Sequence, residues 1–183
     1  MKVYSNALEI ISDFYGTVGS DRHKIADEVI SIYSSSEEAF DILGVAYAYM
    51  WSGAKFRKEA ILYFEKYLSH SYKVNIPYQG ITLWGIYSNL ASLYEKEHKF
   101  EQAILCLKKC ISINNGNNPA DYTRIGDILV KLDTNKAEEF YIQILNDPKL
   151  QKHKRAFAYS LDEVREKKAR GYIYKKRKDR DTK

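Results

Sequence analysis

Cys106 and Cys110 stand four residues apart, the spacing that sets two thiols on one face of a helix. A redox pair or half of a metal site is the chemistry such a spacing allows. A zinc site needs about four ligands, no Cys-x2-Cys pair accompanies these two, and His98 alone among the histidines lies near them in sequence. Two small residues buried in a helix face is the better reading, since free cysteine is among the most buried residue types. His23, His70, His98 and His153 fall in four separate stretches. There is no Gly-x4-Gly-Lys loop, no Gly-x-Ser-x-Gly and no His-Glu-x-x-His. Carboxylates are plentiful, but they sit where helix surfaces meet water. These residues lead to the expectation of a non-enzymatic protein with no catalytic residues, no cofactor and no metal.

A second cluster lies at the end of the chain. Lys175, Lys176, Arg177 and Lys178 follow Tyr172 and Tyr174, and such a mixture could meet phosphates and stack on bases. The net charge of +5 is unevenly spread: residues 152–183 hold 13 Lys/Arg and 5 Asp/Glu, and residues 1–151 hold 16 and 19. A slightly acidic body therefore carries a basic end. The same basic run also reads as a solubilising tail.

The elements that would position these residues are helices. With three prolines and nine glycines in 183 residues, long stretches run uninterrupted. No apolar run approaches ~18 residues, and the start of the chain lacks the apolar core of a signal peptide, so a cytoplasmic protein that makes no membrane contact is expected. Val3, Ala7, Leu8, Ile11, Phe14, Tyr15 and Val18 keep helical spacing, with Gly16 and Gly19 closing that helix. Ser20 or Asp21 is expected to cap a second helix through Ile25, Val29 and Ile32, and Ser35 with Glu38 reads as a capping box for a third. Gly53 marks a turn, and the stretch Ser69–Gly80 with Pro77 reads as a linker. Asn118 with Pro119, and then Thr134, open the later helices. A helix from Leu150 to about Ala169 follows, then a flexible basic tail over 171–183.

One pattern recurs. Phe40-x2-Leu43-Gly44-x2-Tyr47 is followed by Ala60-x3-Phe64; Tyr87-x2-Leu90-Ala91-x2-Tyr94 by Ala103-x3-Leu107; Tyr122-x2-Ile125-Gly126-x2-Leu129 by Ala137-x3-Tyr141 and Pro148. Tyr87 to Tyr122 is 35 residues and Ala103 to Ala137 is 34. This resembles the tetratricopeptide repeat, a helix–turn–helix unit of about 34 residues. In the first copy, Tyr47 to Ala60 is 13 residues where Tyr94 to Ala103 is nine, so the turn there should be longer. The resemblance implies an all-α, right-handed α-solenoid. An atypical helix pair over 1–35 would precede three repeats over 36–148 (about 36–70, 81–115 and 118–148), and a closing helix over 149–170 would follow. Gly44, Ala91 and Gly126 are expected to let the second helix of each pair approach the first.

By the same resemblance, first helices line a concave groove that holds an extended peptide or partner helix. Its lining here would be Asp41, Val45, Ala48 and Tyr49, then Ser88, Asn89, Ser92 and Glu95, then Thr123, Arg124, Asp127 and Lys131. A clamp for C-terminal carboxylates needs Lys or Asn where Asp41, Val45 and Ser88 stand; only Arg124 fills a cationic slot. Asp41, Glu95 and Asp127 favour basic or neutral ligands instead. The expected function is a protein–protein interaction module, an adaptor that binds a protein or peptide in this groove. Contact with nucleic acid or a ribonucleoprotein through the basic end is a second reading. A peptide-sensing regulator that lacks its own DNA-binding domain is a third.

Overall fold

The computed structural model describes residues 4–16, 19–69 and 80–181, with side chains through residue 171. Val3, Val18, His70 and Pro77 lie outside the described residues. Nine α-helices and no strands occur among those described, and within each part of the chain successive helices contact one another. The all-α helix-pair architecture read from the sequence is therefore present. The chain divides into two compact units, Met1–Ala103 and Ile104–Lys183.

The first unit contains α1 (Ala7–Asp13), α2 (Ser20–Tyr33), α3 (Ala39–Trp51), α4 (Arg57–Ser69) and α5 (Leu83–Lys96). Its centre is α3, which packs on α1, α2 and α4. The sequence of α3 explains this: apart from Asp41 it is apolar on every side, and a helix without a polar face must be covered all round. Every residue from Asp41 to Ala48 is buried. The extra residues after Tyr47 form a short 3-10 turn, Ala54–Phe56, entered through Gly53 at φ 100°. That is the lengthened turn the spacing foretells. Trp51 is buried, with the Arg22 guanidinium 4.8 Å above its ring.

The glycine of the first repeat serves a different neighbour from the one expected. A Cβ on Gly44 would lie 2.5 Å from Ala7 Cβ, 2.6 Å from Ala7 C and 2.7 Å from Leu8 N. The helix that needs the space is thus α1, not α4.

In the second unit, α7 (Pro119–Leu132), α8 (Thr134–Asn146) and α9 (Lys154–Asp181) pack on one another, and α6 (Phe100–Ile113) spans the boundary between units. Tyr141, Ile144, Leu150, Phe157, Leu161 and Val164 form its core, with Tyr122 packed at 5.5 Å from the Phe157 ring. Here the glycine behaves as the repeat pattern implies: the ring of Tyr141 on α8 fills the space over Gly126 of α7. The Glu138 carboxylate of α8 accepts from Lys168 at 2.8 Å and Arg165 at 3.0 Å of α9, which holds it below the usual carboxylate range.

Three caps differ from expectation. Gly19, not Ser20 or Asp21, precedes α2 and gives no side-chain cap. The capping box read at Ser35 and Glu38 does not form: Glu38 itself precedes α3 without a side-chain cap, and its N–H donates to the Ser36 hydroxyl, which donates in turn to Asp41. Asp133 displaces Thr134, its carboxylate accepting from the Asn135 N–H at 2.8 Å. Asn118 caps α7 with Pro119 in its first turn, as read. The closing helix does not stop near Ala169. It runs 28 residues to Asp181, because one glycine costs only about 1 kcal/mol and good helix formers lie on both sides of residues 171–174, at 167–170 before them and 175–178 after them.

Candidate interaction surfaces

The first-helix residues do not share one fate. Asp41, Val45 and Ala48 are core residues, because α1 lies across the face of α3 that was expected to line a groove. Asp41 accepts from the Ala7 N–H at 2.8 Å and from the Ser36 hydroxyl at 2.7 Å. Its carboxylate ties the first turn of α1 to α3, so it cannot set the charge of a binding surface. Tyr49 is half-buried, packed 5.8 Å from Phe56 and 5.3 Å from Tyr63, and burial raises its hydroxyl pKa, helped by Tyr63 and Glu59.

On α5, Ser88, Asn89, Ser92 and Glu95 are half-buried. The Asn89 amide donates to the Tyr47 hydroxyl at 3.5 Å, and the Ser92 hydroxyl turns back to the Ser88 carbonyl at 3.1 Å. Tyr47 itself is wholly buried, and that burial, then Tyr15, pushes its pKa far above the ordinary phenol value.

On α7, Thr123 and Arg124 are half-buried, while Asp127 and Lys131 are exposed. The Thr123 hydroxyl donates to the Ala120 carbonyl at 3.0 Å. Beside Thr123 of α7 lies an open cleft of about 620 Å³, its other wall formed by Lys152 and His153 at the end of the short 3-10 helix Pro148–His153 and by Arg155, Tyr159 and Ser160 of α9. Sequence reading missed these five. A signal was present: residues 148–161 hold Lys149, Lys152, His153, Lys154 and Arg155 and no Asp or Glu. It was overlooked because the stretch was read only as the start of a closing helix.

Lys175, Lys176, Arg177 and Lys178 fall on the last turns of α9, and their side chains lie outside the described residues. Cys106 and Cys110 are buried and unbridged. No group of three or more His, Cys, Asp or Glu able to hold a metal ion occurs among the described residues. No described helix is long and apolar enough to cross a membrane.

Burial pushes the Cys110 thiol up to about 12, with Asp121 adding to the shift. Burial likewise raises Tyr47, Tyr67, Tyr122 and Tyr141. All five groups favour the protonated form in the folded state. Their contribution to stability is complete below the unfolded values, about 8.5 for a thiol and 10 for a phenol, and falls as pH rises past them. Urea midpoints should therefore be level near neutrality and decline progressively above pH ~8.5. Cys110 should stay unreactive toward a disulfide reagent at pH 8 until the chain is unfolded. A midpoint that rises between pH 9 and 11 contradicts this account.

Stacked helix pairs with small residues at the crossings define a helical-repeat protein. The tetratricopeptide repeat family matches residues 85–117, which cover α5, α6 and the turn between them. No curated protein and no solved structure matches the chain. The repeat match supports a protein–protein interaction module in general terms.

Proposed function

We propose that this chain is a non-enzymatic adaptor that binds a partner peptide or protein through the exposed part of a first helix, α5 in the first unit and α7 in the second, each serving by itself. The observation that carries the reading is the contrast among those helices. The corresponding face of α3 is closed by α1, whereas α5 and α7 keep Ser88, Asn89, Ser92, Glu95, Thr123, Arg124, Asp127 and Lys131 wholly or partly at the surface. With Asp41 withdrawn into the core, Glu95 is the one acidic residue of the α5 surface, and on the α7 surface Asp127 stands among the cations Arg124 and Lys131. The ligand is an extended segment with mixed polar contacts.

The test is a peptide array probed with the natural chain, with Glu95→Lys, with Lys131→Glu, and with Asp27→Lys on the exposed face of α2 as a control. Charge reversal on a binding surface changes which peptides are selected. Glu95→Lys should shift selection toward acidic sequences and Lys131→Glu toward basic ones, with Asp27→Lys leaving it unchanged. Identical selection by all four proteins, or none by any, refutes the proposal.

A further inference from the structure

We infer that the cleft between α7 and the start of α9 receives a run of carboxylate side chains from a partner peptide, anchored by Lys152 and Arg155. The inference deepens the adaptor reading and rests on it. At about 620 Å³ the cleft falls inside the range of about 300–1,000 Å³ typical of sites that hold small ligands. Its wall is cationic for a reason visible along α9. Farther down that helix Arg165 and Lys168 are paired with Glu138, and Arg170 with Glu166. Lys152 and Arg155, near its start, are not. Lys152 donates to the neutral Asn117 side chain, which leaves two of its three N–H donors, and Arg155 is exposed and forms no ion pair among the described residues.

The other polar atoms of the wall reinforce this selection. The hydroxyls of Thr123 and Ser160 donate back to carbonyls of their own helices, at 3.0 and 3.3 Å. His153 Nε2 is buried without a hydrogen-bond partner. The charged donors a ligand meets are the ammonium and the guanidinium, and the latter suits a carboxylate bidentately. Tyr159, 66% exposed, offers an apolar ring on the same wall for a neighbouring side chain of the ligand.

One turn farther along each wall the sign changes. Asp127 follows Thr123 by four residues, and Glu163 follows Tyr159 by four. A nucleic-acid strand carries a negative charge at every nucleotide and would be repelled there. A peptide can change sign along its length, so the fitting ligand carries an acidic run with an apolar and then a basic or neutral residue to one side of it.

The experiment uses the whole chain and a fluorescent peptide of sequence Glu-Glu-Asp-Leu-Lys within neutral flanks. Two competitors are its Gln-Gln-Asn version and a thymidine oligonucleotide of matched charge. Lys152→Glu with Arg155→Glu should weaken peptide binding at least about tenfold, as expected when charge-assisted pairs become repulsive. Lys108→Glu with Lys109→Glu makes the same charge change at exposed positions of α6 and should alter binding less than about twofold. Circular dichroism confirms that both variants remain helical. The amide peptide should bind about tenfold more weakly than the first. Equal losses in the two variants, or tighter binding of the oligonucleotide, overturn the inference. If the acidic peptide fails to bind while array-selected peptides still respond to Glu95→Lys, the cleft proposal falls and the adaptor reading survives. If no peptide of either kind binds, both fall.

Discussion

Gly44→Leu should detach α1 and lower the stability of the first unit by roughly 3–6 kcal/mol. Even the first atom of a side chain at position 44 would meet backbone atoms of α1 at 2.6 and 2.7 Å, and backbone cannot step aside as a flexible side chain does. The helix as a whole must move. Ala7, Leu8 and Ile11 are fully buried, and exposing the two larger ones forfeits about 1.5–3 kcal/mol each. The Asp41 carboxylate would also lose its hydrogen bond from the Ala7 N–H, so losses beyond the apolar area follow. Chemical denaturation measures the total, and amide exchange locates it: protection should vanish in α1 before it falls in α4. An unchanged midpoint would mean that α1 does not lie against Gly44.

Gly126→Ala should cost about 1–3 kcal/mol, the usual range for overpacking, and a second substitution should recover part of it. The added Cβ would sit 2.1, 2.3 and 2.6 Å from Oη, Cζ and Cε2 of Tyr141. That ring is 1% exposed, and its hydroxyl reaches the Thr123 carbonyl at 3.4 Å, so it has nowhere to swing. Tyr141→Leu removes the clashing atoms but leaves a cavity of its own. In the double variant the new methyl occupies part of that space. A double-mutant cycle should show a favourable coupling of about 1 kcal/mol or more. Simple additivity would show that the two residues do not touch.

The repeat pattern was legible because its parts have strict local needs. A small residue at a crossing and an aromatic four residues before or after it recur at helical spacing, and Leu43, Tyr47, Ala60 and Phe64 all prove fully buried. The caps were legible only to within a residue, since Asp133 and Thr134 are both good capping types and competition between neighbours is settled by the approach of the chain. The closure of α3 by α1 was harder to see. It joins Ala7 to Asp41 across 34 residues, and helical spacing alone says nothing about which distant helix lies above. The one readable warning was composition: an all-apolar helix interrupted by a single carboxylate has no face to offer water. Reading the groove from the family resemblance passed over that warning, so Asp41, Val45 and Ala48 were assigned to a surface they do not reach. The basic cleft was missed for the opposite reason. Its residues are unremarkable singly, and only the ion pairing farther along α9 shows which of its cations are left unmatched.

The cover that α1 and α2 give to α3 also bears on how the chain is made. Seven residues are too few for α1 to hold a helical form alone, so it orders only once α3 is there to receive it. Synthesis proceeds from the N-terminus, so both covering segments emerge before α3 does. The most apolar helix of the first unit thus meets its own partners within the nascent chain, and its exposure to other molecules during translation is brief.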